Sequence, residues 1–179
     1  MDREGEFCFA LRPQSDGSTR RLLCEVKVQE NVKLVTLRST YQIENLTLYP
    51  IEVTLVDDKG RPLYSLEKIG SYLSPRRNGG MLKLFAAPGQ YYPLPIETVG
   101  HNRIRIQPDR KLRALMPLDA NAQRMLSEGF GYRWSSPIRY DDLLQRKTFT
   151  IKCPHSDENE SAFRFHAHVQ IDANDITLR

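Results

Sequence analysis

Alternating apolar and polar residues dominate the stretch between positions 34 and 56. Over residues 34–44 most side chains of one parity are apolar and those between them are polar, which is the pattern of a half-buried β-strand. The pattern stops at residues 45–47, where the amide of Asn45 can bond nearby backbone, and it resumes over residues 51–55. We interpret the stretch as a strand, a polar corner and a return strand. Because two strands alone are marginally stable in water, we expect the other segments to cover the apolar face of this pair.

The same two-residue period recurs along most of the chain. The segments that carry it are 7–11, 22–28, 34–44, 51–56, 63–69, 81–85, 92–96, 103–107, 149–153 and 163–172. About ten strands at this spacing predict an all-β fold, an antiparallel β-sandwich with long loop insertions. One helical pattern, at residues 119–128, lies inside an insertion that runs from 108 to 131. We expect a single module over residues 1–179, with exposed loops at about 70–80 and 109–130.

Two prolines at alternate positions mark the segment around residues 91–95. Pro93 and Pro95 cannot donate hydrogen bonds to a neighbouring strand, so this strand should lie at a sheet edge or leave the sheet here. In a functional interpretation, Tyr91 and the two prolines flank a groove for a peptide that adds as a strand. In a structural interpretation, the prolines only protect the edge against aggregation.

Composition places the chain among soluble globular proteins. Hydrophobic residues make up 40% of it and charged residues 27%, and no apolar run approaches the roughly 20 residues of a membrane helix. The first nine residues are charged where a signal peptide would be apolar, so we expect a cytoplasmic protein. Three cysteines without close pairing indicate reduced thiols and no disulfide framework.

The best candidate for metal binding is a set of four side chains near the end of the sequence: Cys153, His155, His166 and His168. These are zinc ligand types, but Cys153 shares the parity of apolar Ile151, whereas His166 and His168 lie on the opposite, polar parity of their strand. We therefore predict solvated histidines, no metal and no cofactor. The acidic pairs at 57–58 and 141–142 are interpreted as turn formers and caps, and no motif for nucleophilic catalysis is present, so we predict no enzymatic activity.

A basic cluster is the only other candidate for binding. The net charge is +4 and the sequence pI is near 9.0. The candidate anion patch consists of Arg76, Arg77, Arg110, Lys111 and Arg113, with Arg103 and Arg105 nearby in sequence. It has no interleaved aromatic residues for base stacking, so we expect no nucleic-acid partner. A solvated face and contact with acidic lipid headgroups both remain open.

Five short motifs, in this order and spacing, carry a resemblance to a known family. They lie at residues 41–53 (YQIENLTLYPIEV), 87–95 (APGQYYPLP), 103–108 (RIRIQP), 132–135 (YRWS) and 149–154 (FTIKCP). Together they resemble a repeat of the adaptor-binding region of vacuolar protein sorting-associated protein 13, the bridge-like lipid transporters, with the character of fungal members.

The resemblance implies a β-sandwich module in a string of related modules, recruited to organelle membrane contact sites by adaptors that present a Pro-x-Pro motif. It implies neighbouring modules of the same chain and membrane adaptor proteins as partners. An Asn that the family's modules share matches Asn45, whose implied role is to satisfy backbone groups at the sandwich corner. The insertions 71–80 and 109–129 are longer than this family leads us to expect. Residues 169–179 resemble the exit from an earlier module into the next one.

Overall fold

A computed structural model describes residues 4–11, 21–63, 81–97, 100–109 and 131–179 of the chain. Four predictions from the sequence lie outside these residues: the strand at 64–69, the loop at 70–80, the insertion at 110–130 and the helix within it.

Twelve strands and one short helix form the described part of the protein. The strands are β1 (Gly5–Ala10), β2 (Arg21–Gln29), β3 (Val32–Ser39), β4 (Tyr41–Glu44), β5 (Ile51–Val56), β6 (Lys83–Ala86), β7 (Tyr91–Pro93), β8 (Arg103–Pro108), β9 (Ile138–Arg139), β10 (Thr148–Cys153), β11 (Phe163–Asp172) and β12 (Asp175–Leu178). The helix, α1, is Tyr140–Gln145. The predicted all-β class is confirmed.

The strands form three sheets. A five-stranded sheet has the order β10-β11-β12-β4-β7, a four-stranded sheet has the order β6-β5-β8-β9, and a three-stranded sheet has the order β1-β2-β3. Side chains from the two larger sheets share one core, as in a sandwich. One neighbouring pair, β12 with β4, is parallel, whereas the sequence led us to expect antiparallel pairing throughout. The two strands lie far apart in sequence, so no tight turn forces them to run in opposite directions.

The core lies between the five- and four-stranded sheets because alternate residues of each strand point inward. Central strand β5 is buried on both faces. Its inward residues Ile51, Val53 and Leu55 face the core, and its outward residues include Glu52 and Thr54. The other fully or nearly buried core residues come from both sheets and α1: Ile43, Ala86, Leu94, Ile104, Ile106, Tyr140, Leu143, Ile151, Cys153, Phe165, Ala167, Val169, Ile176 and Leu178.

The predicted strand over 34–44 is two strands in two different sheets. The break falls at Thr40, next to Ser39, whose hydroxyl oxygen accepts the backbone N–H of Tyr41 at 3.0 Å. Such a local side-chain bond competes with ladder pairing and favours a turn. Leu37 and Ile43 share one parity, yet Leu37 in β3 is 56% exposed and Ile43 in β4 is 2% exposed. Parity was therefore the wrong guide across this break.

The predicted strand pair at the polar corner is also wrong, because β4 and β5 do not pair. β4 lies between β12 and β7, and β5 lies between β6 and β8 in the opposite sheet. The corner at Asn45 is therefore a crossing from one sheet to the other. A crossing and a wide hairpin have the same alternation on either side, so the sequence pattern does not distinguish them.

Residues 175–178 form a strand of the five-stranded sheet that the sequence analysis did not predict. A turn with Ala173 at a φ of 46° reverses the chain after β11, and β12 then lies between β11 and β4. Ile176 and Leu178 are buried and alternate with Asp175 and Thr177. This short period-two pattern is visible in the sequence at residues 175–178.

Two predicted turns and one predicted edge are confirmed. At residues 87–90 the N–H of Gln90 donates to the carbonyl of Ala87 at 3.2 Å, with Gly89 at a φ of 71°, as a type II turn requires. At residues 57–60 the N–H of Gly60 donates to the carbonyl of Asp57 at 3.0 Å. β7, with its proline, is the edge strand of the five-stranded sheet.

Replacement of the fully buried Leu55 by alanine should lower the free energy of unfolding by about 2–5 kcal/mol, because it leaves a cavity between the sheets. Leu48, which is 87% exposed, provides the matched control, and Leu48→Ala should change stability by less than about 0.5 kcal/mol. Urea denaturation followed by tryptophan fluorescence measures both. Equal losses in the two variants would contradict the packing described above.

Candidate functional site

Asn45 follows β4 at the crossing between the two large sheets, and its side chain is almost completely buried. Its amide nitrogen donates to the carbonyl oxygens of Tyr49 and Ala86, both at 2.8 Å. Its amide oxygen accepts the backbone N–H of Thr47 at 3.0 Å and the Thr47 hydroxyl at 2.7 Å. Every donor and acceptor position of the amide is thus used within the protein.

The backbone of Asn45 forms two hydrogen bonds with the turn between β6 and β7. Its N–H donates to the carbonyl of Gln90 at 3.0 Å, and its carbonyl accepts the N–H of Gly89 at 2.7 Å. The side-chain bond to Ala86 reaches the end of β6 in the four-stranded sheet, so one residue connects both sheets. This geometry suits a structural role at the corner and leaves no polar atom of Asn45 for a ligand.

A cavity of about 220 Å³ lies beneath the crossing loop. Apolar side chains from both sheets and from the crossing loop line most of it: Ile43, Leu46, Ile51, Ile106, Ile151, Phe165 and Leu178. Leu46 is 63% exposed. The cavity can accept a small apolar side chain from a partner, but it has few polar groups to orient one.

The edge of β7 carries the predicted peptide contacts Tyr91, Pro93 and Pro95. The N–H of Leu94 donates to the Tyr41 carbonyl at 2.9 Å, which fixes the alternation of bonded pairs along β4 and β7. By that alternation the backbone groups of Tyr91 and Pro93 point away from β4, and proline has no N–H. The outer edge of β7 therefore offers one donor, the N–H of Tyr91.

The side chains of these three residues are held by contacts within the protein or stand in solvent. The Tyr91 hydroxyl lies 3.4 Å from the Thr177 hydroxyl on the outer face of the sheet, and Pro93 is exposed. Pro95 has left the sheet, and its carbonyl accepts the Tyr140 hydroxyl at 2.7 Å. Burial raises the pKa of Tyr140 well above its usual range, so this hydroxyl remains a donor. The arrangement suits edge protection better than strand addition.

The opposite edge of the same sheet, β10, has no such protection. The N–H of Val169 donates to the Lys147 carbonyl at 2.8 Å, so in the antiparallel register Phe149 and Ile151 bond to β11. The N–H and carbonyl groups of Thr148, Thr150 and Lys152 consequently point away from β11. No described strand pairs with them. This edge has three donors, three acceptors and no proline.

A groove of about 280 Å³ runs beside the edge of β10. Its other wall is the segment Ser135 to Ile138, which leads into β9, and Phe149 forms part of its apolar lining. Asp142 and Arg146 line it from α1 and from the residue that follows the helix. Neither charged side chain has an ion-pair partner among the described residues. The groove therefore combines an open backbone edge, apolar surface and charges of both signs.

The candidate metal ligands are not brought together. Cys153 is buried and donates its thiol to the Ile106 carbonyl at 3.2 Å, and burial raises its pKa to about 12, so it is protonated at neutral pH. His166 and His168 are exposed on the other face of the sheet, and the ring of His155 packs on Tyr132 with 5.0 Å between centroids. In the part of the chain that the structure describes, no group of three metal-binding side chains is present.

The candidate anion patch stays a prediction. Arg76, Arg77, Arg110, Lys111 and Arg113 all lie outside the described residues. Arg103 and Arg105 lie on the outer side of β8, half buried, where Arg103 is opposite Arg139 of β9.

The groove beside β10 was missed by reasoning from sequence. The one available signal was the contrast between residues 148–153, which contain no proline, and residues 91–95, which contain two. That contrast becomes informative only when both segments are known to be edges of one sheet.

An open strand edge and an apolar cavity, with no cluster of reactive side chains in the described ranges, are typical of a protein-interaction module. The family whose sequence profile matches the chain is the adaptor-binding domain of vacuolar-sorting associated protein 13, and the match covers residues 1–179. The chain belongs to this family. It is therefore an adaptor-binding domain and not an enzyme.

A related protein is the intermembrane lipid transfer protein VPS13 of Chaetomium thermophilum, which is 29% identical over 180 residues. The similarity covers 99% of this chain and 4% of that protein, so the chain spans a small part of its relative's length. Within the described residues, no helix is both long and apolar enough to cross a membrane.

Replacement of Asn45 by alanine should lower the free energy of unfolding by about 2–4 kcal/mol, because the carbonyls of Tyr49 and Ala86 lose their donor in a buried site.

Asn45→Asp keeps the acceptor oxygen but places a carboxylate against two carbonyl oxygens. This contact should raise the pKa of the introduced carboxyl group. Such a carboxyl favours folding while it is protonated, so the deficit of Asn45→Asp should shrink at acidic pH and grow as pH rises. Thermal and urea unfolding between pH 4 and pH 7 measure this, and an Asn45→Ala variant as stable as its parent would contradict the structural role of Asn45.

One of the three thiols should react promptly in the folded protein. Cys8 is exposed, whereas Cys24 and Cys153 are buried. At neutral pH a chromogenic disulfide reagent should label one thiol in the native state and all three in denaturant. Cys8→Ser should abolish the fast phase alone. Labelling of native Cys153 at the rate of Cys8 would contradict its burial and raised pKa.

Proposed function

We propose that this module recognises Pro-x-Pro motifs of membrane adaptor proteins at the edge of β10. The observation that supports this assignment is the uncovered edge, with its three outward N–H groups, beside the groove. The module is one unit of an adaptor-recognition scaffold that neighbouring modules of a longer chain complete. Recognition recruits the lipid-transfer protein, as a peripheral protein on the cytoplasmic side, to organelle membrane contact sites.

The backbone chemistry of a Pro-x-Pro segment fits an open strand edge. In an extended chain the backbone nitrogen atoms of residues i and i+2 point to the same side. When the backbone N–H and carbonyl of the middle residue point toward the sheet, both proline nitrogens therefore point away from it. The N–H and carbonyl of that middle residue can then pair with an outward-facing residue such as Thr150. The peptide loses no ladder hydrogen bond through its prolines. At β7 the sheet itself contributes a proline to the edge, and fewer bonds can form.

The side chains of such a peptide also match the groove. The two proline rings project to one face of the added strand, where Pro137, Ile138 and Phe149 provide apolar surface. Residues that flank the motif reach Asp142 and Arg146, which have no ion-pair partner among the described residues. Flanking charges therefore adjust affinity and orientation, and the backbone and the rings supply the common part of recognition.

A pair of proline substitutions tests which edge binds the motif. Thr150→Pro removes an outward N–H of β10 without breaking a bond to β11, and Tyr91→Pro does the same at the outer edge of β7. Thr150→Pro should weaken binding of a Pro-x-Pro peptide at least about tenfold, because a hydrogen bond worth about 1 kcal/mol is lost and the ring obstructs the incoming strand. Tyr91→Pro should bind like the parent. Isothermal titration calorimetry measures both, with thermal unfolding to confirm that each variant is folded.

Two outcomes would contradict this assignment. If Tyr91→Pro weakened binding and Thr150→Pro did not, the peptide edge would be β7. If a peptide with both prolines replaced by alanine bound equally well, the module would not be specific for Pro-x-Pro.

The alternative function is direct contact with acidic membranes through the basic loops. Flotation with anionic liposomes tests it, and reversal of the charges at Arg76 and Arg110 should abolish association.

A further inference from the structure

The strand β3 is apolar on both of its faces and yet, among the described strands, lies at the edge of its sheet. Val32 and Leu34 project from one face and are 66% and 50% exposed. Val35 and Leu37 project from the other face and are 51% and 56% exposed. A strand with this composition is typical of the interior of a sheet whose two faces are both covered.

The three-stranded sheet containing β3 is attached to the sandwich at one end. β3 runs directly into β4 through Ser39 and Thr40. Arg38 forms an ion pair with Asp175 at the start of β12, with 2.7 Å between guanidinium nitrogen and carboxylate oxygen. The edge of β3 that faces away from β2 has no partner strand among the described residues. It is eight residues long and contains no proline.

An edge of this kind needs a covering strand. Natural proteins protect exposed edges with prolines, bulges or inward-pointing charges, because an open apolar edge is a template for pairing with another chain. β7 of this protein has such protection, and β3 has only Lys33 and Arg38 near its two ends. In the small sheet, Leu23, Cys24 and Val26 of β2 are buried, so the uncovered apolar surface is that of β3.

We propose that β3 is a docking edge for a β-strand of a neighbouring module in the longer chain. The occupant is an extended, β-branched segment with apolar side chains on both faces, which completes the small sheet. Two observations favour this partner. The chain covers 4% of the length of its relative VPS13, so much further chain is available to fold against it. A covalently connected segment is also present at a high effective concentration, which compensates for the entropy of pairing.

A second copy of this module is the competing occupant, and the oligomeric state of the protein tests it. The β3 edge is separate from the groove beside β10, so this inference does not depend on the adaptor assignment.

Hydrogen exchange at single-residue resolution on the full-length protein tests the proposal. An unpaired edge strand has alternate amides bonded to β2 and the others open to solvent, whereas a paired strand has all its amides protected. We expect protection of consecutive amides across Val32–Ser39. An alternating pattern, with every second amide exchanging like a free peptide, would overturn the proposal.

A substitution pair identifies the occupant. Leu37→Lys should convert protection at β3 to the alternating pattern, because a charge on the covered face prevents docking. Ile171→Lys is the matched control, since Ile171 is a strand residue of similar exposure, 58% against 56% for Leu37. This control should leave exchange at β3 unchanged. A protein that sediments as a dimer and becomes a monomer in Leu37→Lys would overturn the proposal in favour of a second copy.

Discussion

The side-chain amide of Asn45 is the interaction on which the two large sheets depend. A sandwich needs its chain to cross from one layer to the other, and a crossing exposes backbone groups that no ladder satisfies. Asn45 supplies two donors and two acceptors at that point and directs one donor to the end of β6. Alanine has no side-chain donor or acceptor at this point, and ionised aspartate has acceptors but no donor. The geometry thereby explains why asparagine suits this corner of the chain.

The two edges of the five-stranded sheet differ in how many backbone groups are available to pair with another strand. At β7 the prolines and the return of the chain through Pro95 limit further pairing, while β10 leaves alternate backbone groups open beside a groove. The same sheet therefore has one edge unsuited to strand addition and one edge suited to it. Under the proposed function, this asymmetry directs the peptide to β10, and the described residues include no group of three metal-binding side chains.

Local chemistry was predictable from the sequence, and the order of strands was not. The turns at 57–60 and 87–90 follow from glycine and proline at fixed positions, and the edge location of β7 follows from Pro93. The crossing at Asn45, the parallel pair of β4 with β12 and the groove beside β10 depend on which distant strands meet. Alternation records how a strand is buried and carries no information about its neighbour. The parity error at Leu37 has the same origin, because β3 and β4 face different surroundings.

The position of β12 has a consequence for the way the protein acquires its structure. Ile176 pairs with Tyr41, so β12 lies between β11, which directly precedes it, and β4, which was made much earlier. Such non-local contacts are slow to form because a long loop must be ordered first. During synthesis β4 therefore leaves the ribosome long before its neighbour exists, and its apolar residues remain available to chaperones in the interval. The five-stranded sheet is therefore completed only after β12 has been made.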